Sequence, residues 1–403
     1  MTDLAEGDHL RACTPENMAR ADAVHAKYPL MDGHNDLPWA IRQGFDMHFS
    51  NVDLTIDNTN LDVPGIIYRK LHTDIPRLKK GGVGAQFWSV FAPASLTGPD
   101  VVQVTMEQID LVHQLCDKHP EAFAFAWKAA DIMPIFESGR VASVCGIEGG
   151  HQINGSLRAL RMFHMIGARY MTLTHNGGPG WADPAVELDG SFCVEAPLGG
   201  LAPFGVSVVK EMNRIGMVVD ISHVHAETMH AALGATRAPV MFSHSSTRAL
   251  CAHPRDVPDD VLVKLKENRG IVMVVFLSKF VAGEFWVRGG KTGATIIEAA
   301  DHIDHAVKVA GIDCVGIGGD YDGGALFARG LEDVGCYKRL TCELIHRGYS
   351  DEDLGKILGL NAIRVLQECE DVAAQMKKEG VLACEEHFGE EIYETNAKKL
   401  EKK

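Results

Sequence analysis

The feature that most constrains this chain is a recurrence. Eight short β-rich apolar runs, each closing in polar or glycine residues, fall at Tyr28–Asp32, Gly84–Phe91, Val141–Ile147, Ala168–Thr174, Met217–Ile221, Pro239–Phe242, Ile271–Phe276 and Cys314–Ile317. Segments with helical spacing separate most of them: 102–116, where Val104, Ile109, Val112 and Leu115 share a face, then 157–166, 204–215, 226–233, 261–267 and 296–310. Strands separated by helices pair in parallel through right-handed crossovers. Eight such units predict an α/β fold, a single-domain (β/α)8 TIM-type barrel over residues 28–369, in preference to an open doubly wound sheet. Residues 1–27 are expected to form a helix leading into the barrel, with Pro15 and Glu16 near its start. Residues 370–403 alternate in charge and are expected to pack on the barrel exterior or fray.

Charge and composition exclude several classes of function. With 39 Lys and Arg against 54 Asp and Glu, the chain of 403 residues carries a formal charge of -15. Such a surface repels phosphate backbones, and no basic stripe with interleaved aromatics is present, so no nucleic-acid partner is expected. No run of 18 or more apolar residues occurs, and Asp3, Glu6, Asp8 and Glu16 are unlike a secretory leader. The lysine-rich end, from Lys398 to Lys403, is the reverse of a lipid-anchor signal. The 10 cysteines form no CxxC pair and read as reduced thiols. A cytoplasmic protein with no membrane anchor is expected.

In barrels of this type, functional side chains lie at the C-terminal ends of the strands. Six of the eight runs end there in a residue fit for metal binding or proton transfer. His34 and Asp36 stand at i and i+2 of an extended segment and can reach one ion together. Glu148, flanked by glycines, has two oxygens with which to bridge two cations. His223 and His244 follow consecutive strands whose ends lie about 5 Å apart, so their rings can converge on a second ion. Asp320 is placed to move protons, Asp322 reads as a loop cap, and His175 can polarise a carbonyl. His225 is assigned to the helix that follows. Any one of these has an ordinary structural alternative, but their shared register does not.

The motifs DGHNDLPW (32–39), GAQFWSV (84–90), GIEGGH (146–151), LTHN (173–176), DISHV (220–224), FSHSS (242–246), RDVPDD (255–260) and GGDYDG (318–323) resemble, in order and spacing, the renal or membrane dipeptidase family of binuclear zinc peptidases. The resemblance runs from about Tyr28 to Val365. It implies two Zn2+ ions per chain, with His34 and Asp36 on the first, Glu148 and a water or hydroxide as bridges, and His223 with His244 on the second. Other divalent ions suit the same donors. It further implies His175 against the scissile carbonyl, Arg255 as the clamp on the substrate carboxylate, Asp320 as acid and base, a dipeptide substrate and a homodimer. The chain departs from the family in two places. Gly177 stands where extracellular members have a cysteine, and Phe276, Lys279 and Phe280 occur where the family often supplies a tyrosine.

The reaction implied is hydrolysis of one peptide bond, plausible substrates being Cys-Gly and its S-conjugates derived from glutathione. Two other classes share parts of this pattern. Lactonases and phosphotriesterases on the same barrel often carry HxH on the first strand and a modified lysine as bridge, unlike Asp36 and Glu148. A metal-binding pseudoenzyme scaffold has no need to keep both Glu148 and Asp320.

Overall fold

The structure, a computed structural model, describes residues 8–66, 68–282 and 293–389. Nine strands form its sheet: β1 (Leu30–Asn35), β2 (Val83–Phe91), β3 (Phe123–Phe125), β4 (Val141–Glu148), β5 (Ala168–Thr172), β6 (Val218–Asp220), β7 (Val240–Phe242), β8 (Ile271–Val274) and β9 (Val315–Ile317). All pairings are parallel, and because β1 pairs with β9 as well as β2, and β2 with β4, eight strands close into a barrel. Every one of the eight apolar runs contributes a barrel strand.

β3 was not anticipated. It lies against only the first half of β4, pairing Phe123 with Val141 and Phe125 with Ser143, whereas β5 takes over from Cys145. Three residues carry too little periodicity to stand out from a loop.

Alternation along each strand divides the apolar residues into two cores. Met31, Ala85, Phe87, Val144, Tyr170, Val218, Met241 and Met273 form one cluster that fills the barrel. Their strand neighbours Leu30, Trp88, Val90, Ile147, Met171, Val219, Phe242 and Val274 belong to the larger cluster under the helices. On the helix Pro99–Lys118, Val101 and Thr105 are buried while Val104 is only partly so, which shifts the buried face from the expected one.

The helix Asn361–Lys378 crosses the expected boundary at 369/370. Its Ala362, Val365, Leu366 and Cys369 pack with the barrel-filling residues, and Asn361 Nδ2 donates to the Val315 carbonyl at 2.9 Å. The charges after 370 therefore mark the outward side of one helix and not the start of a new element. Farther on, Phe388 N donates to the Gly155 carbonyl at 2.9 Å and its ring lies 5.4 Å from that of Phe204, so this stretch packs on the barrel. Positions 390–403 of the expected extension fall outside the described residues. At the other end, the helix Pro15–Lys27 is capped by Thr14, whose hydroxyl accepts from Asn17 N.

Candidate metal centre

The strand ends are locked together by backbone bonds that continue past the regular ladder. Asp36 N donates to the Tyr321 carbonyl at 2.8 Å, Asp320 N to His34 at 3.1 Å and Ser245 N to Met273 at 3.0 Å. His34 and Glu148 are residues of their strands, whereas Asp36, His175, His223, His244 and Asp320 lie just beyond. His223 and Asp320 adopt left-handed backbone conformations, φ 65° and 64°, uncommon for residues with a side chain.

Glu148 is the hub. Its Oε1 lies 3.1 Å from His223 Nε2, 3.6 Å from His244 Nε2, 3.5 Å from His34 Nε2 and 3.8 Å from His175 Nε2. His223 Nε2 and His244 Nε2 are themselves 3.0 Å apart. His34 Nε2 is 3.4 Å from Asp36 Oδ2. Asp36 is not extended, having φ -94° and ψ 22°, so a turn rather than strand geometry brings it to His34. Three donor groups result, His34 with Glu148 and His244, Glu148 with His175 and His223, and His34 with Asp36 and Asp320.

These residues fit divalent cations. The Nε2 of His34 is buried without a hydrogen-bond partner. Its Nδ1 is 2.9 Å from the Tyr170 hydroxyl, which also reaches the Gly33 carbonyl at 3.3 Å. With the hydroxyl donating to Gly33, Nδ1–H donates to Tyr170 and Nε2 faces the site; burial opposes a charge there, but Tyr170, Glu148 and Asp36 raise the ring well above the ordinary histidine range, so a cation at Nε2 takes the place of a proton. His244 is fixed in the same way. Ser243 Oγ donates to Asp220 Oδ2 at 2.7 Å and lies 2.8 Å from His244 Nδ1, which again leaves the Nε2 lone pair inward. His223 Nδ1 has no partner among the described residues; its ring is held by packing, 4.5 Å from His175 and 5.0 Å from His244.

Burial keeps His223 and His244 well below the ordinary histidine range, so both rings are neutral and able to offer a lone pair. Burial alone would raise the Glu148 carboxyl, but the imidazoles of His34, His175 and His223 hold it well below the usual carboxylate range. Asp320 is pushed up to about 8 by burial, with Asp36 and Glu148 adding to the effect.

The site opens into a cavity of about 450 Å³ lined by Asp36, Glu148, His175, His223, Arg255 and Asp320, with an apolar wall that includes Trp39, Phe91 and Phe192. His34 and His244 lie behind that surface. Arg255 is 2% exposed, donates to Ser245 Oγ and the His244 carbonyl at 3.3 Å each, and has no carboxylate within 4.0 Å among the described residues. His225 caps the helix Ala226–Ala235 and stays out of the donor groups. Asp322 accepts from His72 N at 2.7 Å, the expected capping role, but also lines the cavity.

Sequence reading missed the groups behind the candidate donors. Asp32 accepts from His34 N, Gly319 N and the Tyr337 hydroxyl. Asp220 accepts from Ser222 N, Ser243 N, Ser243 Oγ and Thr172 Oγ1. The available signal was a carboxylate inside an apolar strand, two or three residues before a histidine, because such a group is buried only when its oxygens are fully engaged. Tyr170 gave no comparable signal; Gly146 gave a partial one, since a Cβ there would lie 2.0 Å from Tyr170 Cζ.

The family profile described as membrane dipeptidase, peptidase family M19, matches residues 18–380. The chain belongs to the membrane dipeptidase family. It is a metallopeptidase of the dipeptidase type. A curated relative, "Dipeptidase verJ" of Clonostachys rogersoniana, is 38% identical over 397 residues, covering 95% of each chain. Two solved structures share the fold at 22% identity. The probable dipeptidase PvdM from Pseudomonas aeruginosa superposes with a TM-score of 0.74 over 89% of this chain and 100% of its own. A Rhodobacter sphaeroides metallo peptidase liganded with a phosphinate mimic of L-Ala-D-Ala gives 0.71 over 85% and 99%. Among the described residues, no helix of this membrane dipeptidase family member is long and apolar enough to cross a bilayer.

Proposed function

We propose that the chain hydrolyses dipeptides with a pair of zinc ions, His34 and Asp36 holding one, His223 and His244 the other, and Glu148 joining them. The observation that carries this reading is the convergence of four imidazoles on one Glu148 oxygen within 3.1 to 3.8 Å. Divalent ions bound there would acidify water and polarise a carbonyl oxygen.

The chain's own groups do the rest. Arg255, buried and unpaired with any described acid, receives the free α-carboxylate of the substrate, which restricts productive binding to peptides ending one residue past the scissile bond. His175, neutral because burial lowers it to about 4, stands beside Glu148 to hydrogen-bond the developing oxyanion. Asp320 takes the proton released as water adds to the carbonyl and returns it to the departing amine. No side chain is acylated. The apolar wall formed by Trp39, Phe91 and Phe192 suits a substituted first residue, which supports Cys-Gly S-conjugates as substrates. Assembly as a cytoplasmic homodimer belongs to the same reading and rests on family resemblance; sedimentation and fractionation test it.

Arg255→Ala tests the clamp. Loss of a charge-assisted bidentate contact raises KM for dipeptides about 10- to 100-fold while metal content stays at the wild-type level. Unchanged KM removes Arg255 from the account. Hydrolysis of Ala-Gly and of S-substituted Cys-Gly by zinc-loaded protein, abolished by chelation, tests the activity itself; a phosphinate dipeptide mimic should inhibit it.

A further inference from the structure

The membrane dipeptidase reading assigns one cation of the cavity, Arg255, to the substrate's α-carboxylate. A second cation is left over. Past β8 the chain turns into a short helix, Ser278–Val281, which sets Lys279 and Phe280 on the cavity wall. Phe280 is buried, and both cations lie against its ring, the Arg255 Cζ 5.1 Å and the Lys279 Nζ 4.5 Å from the centroid. The two charges are therefore less than about 10 Å apart, both against one aromatic ring. Neither has a carboxylate within 4.0 Å among the described residues, although the backbone carbonyl of Lys279 accepts from Cys251 Sγ at 3.5 Å.

Among the cavity acids, Asp320 is the one whose charge reaches both cations, yet it forms an ion pair within 4.0 Å with neither. One α-carboxylate on Arg255 leaves the ammonium of Lys279 without a carboxylate in contact. An exposed lysine with no acid to meet gains most by extending into water; here its ammonium lies over a ring that lines the substrate cavity.

We infer that Lys279 binds a second carboxylate, and that the cavity favours dipeptides whose C-terminal residue has an acidic side chain. This rests on the dipeptidase reading with Arg255 as the α-carboxylate clamp. In a C-terminal glutamate the two carboxyl groups leave the same carbon, one directly and one on a short flexible arm. Arg255, deeper and more rigid, takes the first; Lys279, nearer the rim on a flexible stem, takes the second. Glutamine has the same shape and lacks only the charge.

The test compares kcat/KM for Ala-Glu and Ala-Gln on the zinc-loaded full chain. A partly exposed ion pair predicts a preference for Ala-Glu of about fivefold, expressed mainly in KM and shrinking as salt is added. Lys279→Met should bring the ratio near one, and Lys279→Arg should keep it. A wild-type ratio near one, a ratio that salt does not change, or a ratio that survives Lys279→Met overturns the inference while Ala-Gln turnover still supports the dipeptidase reading. Failure to hydrolyse either peptide overturns both. Should Lys279→Met not fold, the salt dependence and Lys279→Arg decide.

Discussion

Asp220→Asn separates a role in metal binding from a role in folding. Oδ1 of Asp220 accepts from Ser222 N at 3.0 Å and Ser243 N at 2.9 Å, and Oδ2 accepts from Thr172 Oγ1 at 2.6 Å and Ser243 Oγ at 2.7 Å. In the asparagine the oxygen stays with the two backbone donors, so the amide NH2 faces the hydroxyls. Ser243 then accepts from Asn, and its freed proton favours donation to His244 Nδ1 at 2.8 Å over the longer contact to Ser222 Oγ at 3.4 Å, which shifts the His244 proton to Nε2, the atom 3.6 Å from Glu148 Oε1. The ring turns from a ligand into a donor. Replacing two hydroxyl–carboxylate bonds with neutral ones costs about 1 kcal/mol each, so the variant folds but melts lower by about 2 kcal/mol of stability. Loss of the ligand's correct tautomer lowers affinity for the second ion about 10- to 100-fold. Zinc titration by calorimetry against the metal-free protein reads this directly, and activity should return at high zinc. Wild-type affinity in Asp220→Asn would refute the chain from carboxylate through serine to histidine.

Two further outcomes follow from the packing and the buried acids. Gly146→Ala places a methyl group 2.0 Å from Tyr170 Cζ; forcing that ring aside costs about 1 to 3 kcal/mol or more and detaches the His34 Nδ1 partner, so melting temperature and zinc content should fall together. In the metal-free protein, Asp320 and Asp256 are both pushed up to about 8 by burial, and Asp32 to about 7. A carboxyl with a raised folded pKa binds its proton more tightly folded than unfolded, so its contribution is full at acid pH and is lost as pH climbs from about 4 to 8. The buried histidines His175, His25 and His302 act oppositely but only below about 6.5, because burial lowers them to about 4, while His34, which against its burial Tyr170, Glu148 and Asp36 raise well above the ordinary range, adds to the loss above 6.5. Stability to urea should therefore decline between pH 6.5 and 8, by about 1 kcal/mol per pH unit for each carboxyl, and Asp256→Asn should flatten the slope. A rise over that interval contradicts the assignment.

What could be read from residues alone was whatever repeats or terminates a repeat. The eight runs that end in glycine or polar residues marked the barrel, and the candidate donors His34, Glu148, His223 and His244 stood out because they interrupt or follow apolar strands in register. What could not be read depends on distant parts of the chain. Tyr170 is an inward strand residue like any other until His34, 136 positions away, is placed beside its hydroxyl. The aspartates at 32 and 220 look like spare ligands next to histidines; only the closed barrel shows that backbone and hydroxyl donors already occupy their oxygens. β3 is too short for periodicity to register. The helix through Cys369 keeps an inward side past 370, at Val372 and Met376, but the charges on its outward side mask it.

The account depends on Glu148 standing between two cations, and anomalous diffraction at the zinc edge from crystals grown with zinc measures that most directly. It predicts two peaks per chain, one beside His34 and Asp36 and one beside His223 and His244, each within coordination distance of the Glu148 carboxylate, roughly 2.0 to 2.2 Å. A single peak remote from Glu148, or a Glu148 carboxylate turned away from both histidine pairs, would contradict it.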